Sequence, residues 1–280
     1  MKIKILSDST CDLSAQLLQE NDIALVPLTV IKDGKEYKDG VTITPAEIFA
    51  HVAAGGDLCS TSANSVGEYG DIFAQYASKY DGVLHINIGS GFSSCYQNPC
   101  IAASDFDNVK VVDSQNLSTG QGLVVLEACR LAKECTSLEE LHEKVQAFTA
   151  KVEASFLVDK LTYLAKGGRC SAVAALGANL LNLKPCIEVR DGKMVVVKKY
   201  RGSYNKCLAS YVKDRLAERD DLTREILFVT KTSVSDEEYA SVMEAVKEYS
   251  HFGATYETTA GCTVSCHCGP GTLGVLFVRK

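Results

Sequence analysis

Apolar residues in the first half of the chain fall into short, nearly continuous runs at 3–6, 23–31, 83–88 and 109–112. Runs of that length, rich in Val and Ile and lacking a polar face, predict strands buried on both sides of a parallel sheet. Between them the pattern turns helical. Helices are predicted from about Ser14, from Thr44 to the Gly55-Gly56 pair, and from Ser65 to about Lys79. Thr44 with Glu47 and Ser65 with Glu68 are capping boxes, and Pro45 takes the first helical position. This alternation predicts a doubly wound, Rossmann-like α/β/α domain over residues 1–154. Ligands of such sheets bind beyond the carboxyl ends of the strands, where the turn 8–10 and the loop 89–94 fall.

The second half has a different rhythm. Helices are predicted over 155–165 and 171–183, on either side of Lys166-Gly167-Gly168-Arg169. Strands at 186–189 and 194–197 are joined by Asp191-Gly192, a dipeptide favoured in two-residue hairpins. A helix over 204–219, a strand over 226–230, a capping box at Ser235 and Glu238, and strands near 254–259 and 273–278 follow. The segment 266–268 reads as extended. Together these elements predict an α/β domain over 155–280, built on a mixed sheet with helices on one face. A ligand site is expected at the interface of the two domains.

Composition narrows the class of function. A chain of 280 residues buries enough surface to fold without disulfides or metal. Its 46% hydrophobic and 23% charged content is that of a soluble globular protein. The net charge of −6 argues against nucleic acid or an anionic membrane as a bulk electrostatic partner. No apolar run reaches the roughly 18 residues that span a bilayer, and Met1-Lys2-Ile3-Lys4 leads straight into a strand with no signal-peptide core. A cytoplasmic protein without stable membrane insertion is expected. The twelve cysteines are scattered rather than framing a small scaffold, which favours reduced, buried thiols.

The candidate chemistry lies in four glycine- and hydroxyl-rich segments: Thr61-Ser62, Gly91-Phe92-Ser93-Ser94, Lys166-Gly167-Gly168-Arg169 and His267-Cys268-Gly269-Pro270-Gly271. They supply hydroxyls, one guanidinium and one imidazole, with glycines that let backbone amides approach a ligand. No Asp or Glu in them is placed as a base or metal ligand, so the set reads as a trap for a carboxylate. Gly89-Ser90-Gly91 begins like a dinucleotide fingerprint, but Ser94 stands at the third glycine and Asp113 is the nearest acidic candidate. The phosphate-loop, nucleophile-elbow and His-Glu-x-x-His signatures are absent. Cys262, Cys266, His267 and Cys268 are metal-ligand types, yet neighbours in an extended segment point to opposite sides, and no metal site is expected. Each segment also has a plainer reading: a turn at 61–62, an N-cap at Ser93, a surface ion pair at Arg169, a satisfied loop histidine at His267.

In combination, the sequence resembles the DegV family, fatty-acid-binding subunits that work with a bacterial fatty acid kinase. The resemblance runs through Ser7-Asp8-Ser9-Thr10-Cys11-Asp12-Leu13, Thr61-Ser62-Ala63-Asn64-Ser65, residues 89–93 with Tyr96-Gln97, and Val112-Asp113-Ser114. It continues through Leu161 and Leu164 with Lys166-Gly167-Gly168-Arg169, then residues 181–185, and His267-x-Gly269-Pro270-Gly271. Ala63-Asn64 stands where the family has Gln-Pro, Ser94-Cys95 where it has Gly-Thr, and Cys268 where it has Thr. The resemblance implies that Thr61 and Ser93, with Ser62 and Ser94 beside them, hold the carboxylate of a long-chain fatty acid. Arg169 and His267 would then face the head group or a partner. It implies no cofactor, no catalysis by this chain, and a separate ATP-dependent kinase subunit that makes the acyl phosphate. The expected fold also resembles the substrate subunit of dihydroxyacetone kinases, so the alternative is a small-ketone site built on His267. A cysteine-based redox or metal protein is a third reading.

Overall fold

The computed structural model describes residues 1–168, 170, 183–249 and 251–280. Strands are numbered in chain order. Strands β1 (Ile3–Asp8), β2 (Ala24–Val26), β6 (Gly82–Asn87) and β7 (Val109–Asp113) form a parallel sheet ordered β2-β1-β6-β7. Every residue of β6 is buried, as its unbroken apolar run requires of a strand covered on both faces. Leu84 and Ile86 pack in one core cluster with Leu123 and Leu141, from helices Thr119–Leu131 and Leu138–Phe148. Val83, Leu6 and Val111 pack in another with Tyr69 and Phe73 of helix Val66–Ala77 and Ala102 of helix Gln97–Ala103. The doubly wound arrangement expected for this half is what forms.

The second sheet has six strands in the order β10-β9-β8-β13-β11-β12. They are β8 (Val152–Val158), β9 (Leu183–Arg190), β10 (Lys193–Arg201), β11 (Leu222–Lys231), β12 (Ala254–Thr259) and β13 (Thr272–Arg279). Only β11 and β12 pair in parallel. Leu157, Leu227, Val229, Val275 and Phe277 share a cluster with Leu208, Tyr211 and Val242 of helices Tyr204–Leu216 and Asp236–Tyr249. The alternate residues Ala154, Phe228 and Leu276 belong instead to the cluster of helix Thr119–Leu131. That helix lies between the two sheets, and ten of its thirteen residues are buried, so it carries no polar stripe.

A third, antiparallel sheet joins β4 (Lys35–Lys38), β3 (Thr29–Lys32) and β5 (Ser60–Ser62). It breaks the single extended segment expected over 23–31. Pro27, with no N–H to donate, separates β2 from β3, and the two go to different sheets.

The helix expected over 155–165 is instead β8 followed by helix Thr162–Gly167. All seven residues of β8 are buried between β9 and β13. Its Glu153 is tolerated there because Arg219 donates to it at 2.9 Å, with Arg215 at 3.4 Å. The helix expected over 171–183 lies outside the described residues apart from Leu183, which begins β9. The hairpin holds as read, with Asp191 and Gly192 both at positive φ (49° and 68°), a type I′ turn. Residues 266–268, read as extended, belong to helix Cys262–Cys268. On a helix these neighbours do not alternate between opposite sides, so an extended chain no longer excludes a metal here.

Candidate functional site

Five of the six residues singled out in the sequence come together on one cavity of about 340 Å³: Thr61, Ser62, Ser93, Ser94 and His267. The sixth, Arg169, lies outside the described residues. Each arrives on a different support. Thr61 and Ser62 are in β5, paired through Val30 and Thr29 of β3. Ser93 precedes the single helical turn Ser94–Tyr96, in the loop that leaves the carboxyl end of β6. His267 sits in the last turn of helix Cys262–Cys268.

The rest of the lining is mostly apolar. Leu28, Ile88, Phe92, Leu117, Met194 and Val264 contribute side chains from both halves of the chain. No Asp, Glu, Lys or Arg is among the described lining residues. Leu117, Val264 and Cys268 also line a second, small void of about 30 Å³, over Ala154, Phe156 and Gly274 of the six-stranded sheet. The cavity is thus polar where β5, the 89–94 loop and His267 meet, and apolar toward the sheet.

At the polar end, Thr61 Oγ1 lies 2.8 Å from His267 Nε2. The tautomer decides which atom donates, and a threonine hydroxyl can do both at once. Ser93 Oγ accepts from the Cys95 N–H at 3.1 Å and donates to Cys95 Sγ at 2.9 Å. It therefore caps the turn, as its plainer reading held, and spends its proton on a thiol, a weak acceptor. Ser62 donates to the carbonyl of Ala63 at 3.2 Å. Of these hydroxyls, Ser93 has the weak acceptor, so its exchange for an anion costs little.

Close backbone approach explains two of the glycines. A Cβ on Gly91 would stand 2.1 Å from the carbonyl oxygen of Gly192, so the loop can touch the β9–β10 turn only without a side chain there. A Cβ on Gly167 would stand 2.9 Å from His267 Nδ1; the first glycine of the Lys-Gly-Gly motif leaves room for the imidazole. Asn98 ties the rim together by donating to the Asn64 carbonyl at 2.8 Å, and Asn64 in turn donates to that of Pro27 at 3.1 Å.

Carboxylates stand behind the site rather than in it. Asp8 accepts from the Ile88 N–H at 2.8 Å and the Thr10 N–H at 3.0 Å, fixing where the loop after β6 departs. Burial raises its carboxyl above the usual range, against those hydrogen bonds. Asp12 accepts from the Gly261 N–H at 2.8 Å and from Ser118 Oγ at 2.5 Å. Burial pushes it up to about 8, with Asp39 and Asp8 adding to the rise. Asp113, the acidic candidate of the nucleotide reading, accepts from Ser90 N and Oγ (3.0 and 2.6 Å), so it braces the loop.

Sequence reasoning missed the apolar wall, whose residues lie as far apart as Leu28 and Val264 and form no local pattern. Asp8 and Asp12 were present in the Ser7–Leu13 motif, but nothing in their spacing told that they bind backbone amides of other segments. Eleven of the twelve cysteines are buried, and none forms a disulfide. Among the described residues no group of three or more His, Cys, Asp or Glu is placed to hold a metal ion, and no helix is long and apolar enough to cross a membrane.

Residues 2–280 match the family described as "Uncharacterised protein, DegV family". A DegV domain-containing protein of Clostridium acetobutylicum is 33% identical over 281 residues, covering 100% of this chain and 99% of that one. One from Caldanaerobacter subterraneus is 32% identical over 287 residues, with the same coverage. Among solved structures, a fatty-acid-binding DegV family protein from Thermus thermophilus superposes with a TM-score of 0.92 at 29% identity, covering 100% of both chains. A stearic-acid-binding protein from Eubacterium ventriosum superposes with a TM-score of 0.84 at 28% identity, covering 99% of this chain and 98% of that one.

Proposed function

The chain belongs to the DegV family, and on that premise we propose that it binds a long-chain fatty acid and presents the carboxylate to a separate ATP-binding kinase subunit. The observation that carries this reading is the cavity itself, where the hydroxyls of β5 and of the 89–94 loop meet an imidazole and the remaining lining is mostly apolar. It is supported by the fatty acid bound by similar proteins of Thermus thermophilus and Eubacterium ventriosum.

The carboxylate sits among Thr61, Ser62, Ser93 and Ser94. With the proton on Nε2, His267 donates to Thr61 Oγ1, and the threonine O–H is left to donate to the acid. Ser93 exchanges its thiol acceptor for a carboxylate oxygen. A buried carboxylate needs such partners, and charge-assisted bonds are the stronger kind. The family resemblance assigns Arg169, outside the described residues, to the head group or the partner. The acyl chain runs past Leu28, Ile88, Phe92 and Met194 toward Leu117 and Val264, at about 0.8 kcal/mol for each methylene buried. The site then lies between the two units expected at residues 1–154 and 155–280, with the boundary moved to just before β8, since Val152–Val158 is one strand of the second sheet.

This chain supplies no phosphoryl-transfer machinery in this reading. It holds the acceptor, and the kinase subunit brings ATP and forms the acyl phosphate. The small-ketone alternative leaves the apolar wall without a role. Hydroxylamine trapping tests the presentation step: chain, hexadecanoate, ATP and a bacterial fatty acid kinase subunit together should yield the hydroxamate. No hydroxamate above the level seen without this chain would overturn it.

A further inference from the structure

His267 reaches Thr61 from the last turn of a short helix, so the placement of that helix sets their contact. Helix Cys262–Cys268 has Gly261 at its N-cap and no side-chain cap of its own. Its first amides are satisfied from far along the chain instead. Asp39, only 4% exposed, accepts from the Cys262 N–H at 2.8 Å on Oδ1 and from the Thr263 N–H at 3.0 Å on Oδ2. Ser9 Oγ donates to the same Oδ2 at 2.9 Å and so orients the carboxylate.

Asp39 directly follows β4, which pairs with β3, which pairs with β5, where Thr61 lies. The other end of the helix returns to that same sheet through the 2.8 Å contact of His267 with Thr61. The helix is therefore strapped across a three-stranded sheet at both ends, by a carboxylate at its start and an imidazole at its finish. A carboxylate on the first amides fixes both the axial position and the rotation of a helix of under two turns.

We propose that Asp39 is a positioning residue for the carboxylate cup: by clamping the first turn of helix Cys262–Cys268 it sets the His267 imidazole on Thr61. This rests on the reading that Thr61 and His267 receive the acid. Asp39 lines no part of the cavity among the described residues; it acts only through the helix.

The test compares wild type with Asp39→Ala and with Asp39→Asn, which keeps one acceptor oxygen and guards against an unfolded variant. Binding of hexadecanoate and of hexadecan-1-ol is measured in each, and the His267 ring nitrogens are followed by NMR of ¹⁵N-histidine-labelled, ligand-free protein. The expectation is a loss of about tenfold in hexadecanoate affinity for Asp39→Ala, the scale of one charge-assisted hydrogen bond. Hexadecanol affinity should change less than about twofold, Asp39→Asn should recover part of the loss, and the His267 nitrogens should shift toward the averaged pair of a freely exchanging imidazole. Equal weakening of acid and alcohol would mean a purely structural role, and an unshifted His267 signal would overturn the proposal outright. Thr61→Val and His267→Ala, run alongside, separate the two claims. If both keep the wild-type ratio of acid to alcohol affinity, the cup is misplaced, while the His267 signals still decide whether Asp39 positions the ring.

Discussion

Replacing Thr61 by Val removes one hydroxyl and almost no volume, which makes it the cleanest probe of the polar end. In the ligand-free protein it costs the 2.8 Å contact with His267, a neutral hydrogen bond at a half-buried site, worth about 1 kcal/mol of stability. In the complex it costs a bond to an ionised oxygen, about 1.5–3 kcal/mol. If the hydroxyl accepts from His267 while donating to the acid, the two bonds coexist and the whole of the second is lost on mutation. Hexadecanoate should then bind about 10–150-fold more weakly. If Thr61 had to release His267 before taking the acid, the two terms would offset in part, leaving about 0.5–2 kcal/mol, a loss of about 2–30-fold. Equilibrium titration with hexadecanoate, beside urea unfolding of the free protein, measures both quantities, and Thr61→Ser should restore most of the affinity. Binding within about twofold of wild type would show that the carboxylate does not use this hydroxyl.

Gly91→Ala sets a methyl group 2.1 Å from the Gly192 carbonyl; it should part the 89–94 loop from the hairpin and weaken hexadecanoate binding by about tenfold or more, whereas unchanged binding would mean that this contact does not close the site. Val264→Phe fills the junction between the cavity and the small void. It should shift preference toward shorter acids by about fourfold per methylene excluded; a chain-length series with an unmoved optimum would put the tail elsewhere. His85 is fully buried against Tyr69 and Phe73, with no hydrogen-bond partner on either nitrogen among the described residues, and burial lowers it from 6.5 to about 3. Its folded-state value is depressed, so its share of stability is present above pH 6.5 and lost as pH falls toward 3. In urea unfolding, His85→Phe should gain on wild type by about 3 kcal/mol between pH 6.5 and 4; a constant difference across that range would refute the assignment.

What the sequence disclosed, and what it withheld, follows from the range of the forces involved. The capping boxes of Thr44 with Glu47 and Ser65 with Glu68 both form, as do the Ser235–Glu238 bonds and the Asp-Gly turn. Each is settled within four residues. Strand β8 was misread because Glu153 and Ser155 interrupt its apolar pattern, and their partners, Arg219 and Tyr211, lie more than fifty residues away. Strands β4 and β5 were missed because three or four polar residues carry no periodicity and become strands only by pairing with β3. At the site, the hydroxyls and His267 announced themselves by residue type, while the wall of Leu28, Ile88, Leu117 and Val264 did not. Aliphatic residues far apart in sequence look like any other core until the fold places them around one void. Asp39 gave no signal, since a lone acidic residue after a strand is ordinary until its carboxylate is seen on the Cys262 and Thr263 amides.

The central claim is that this cavity holds a fatty acid by its carboxylate. Purification of the chain from a bacterial host, followed by lipid extraction and mass spectrometry, tests it most directly. The account predicts a long-chain fatty acid near one equivalent per chain in wild type, and much less in Thr61→Val with Ser93→Ala. A wild-type protein that carries no fatty acid and takes none up when offered hexadecanoate would contradict it.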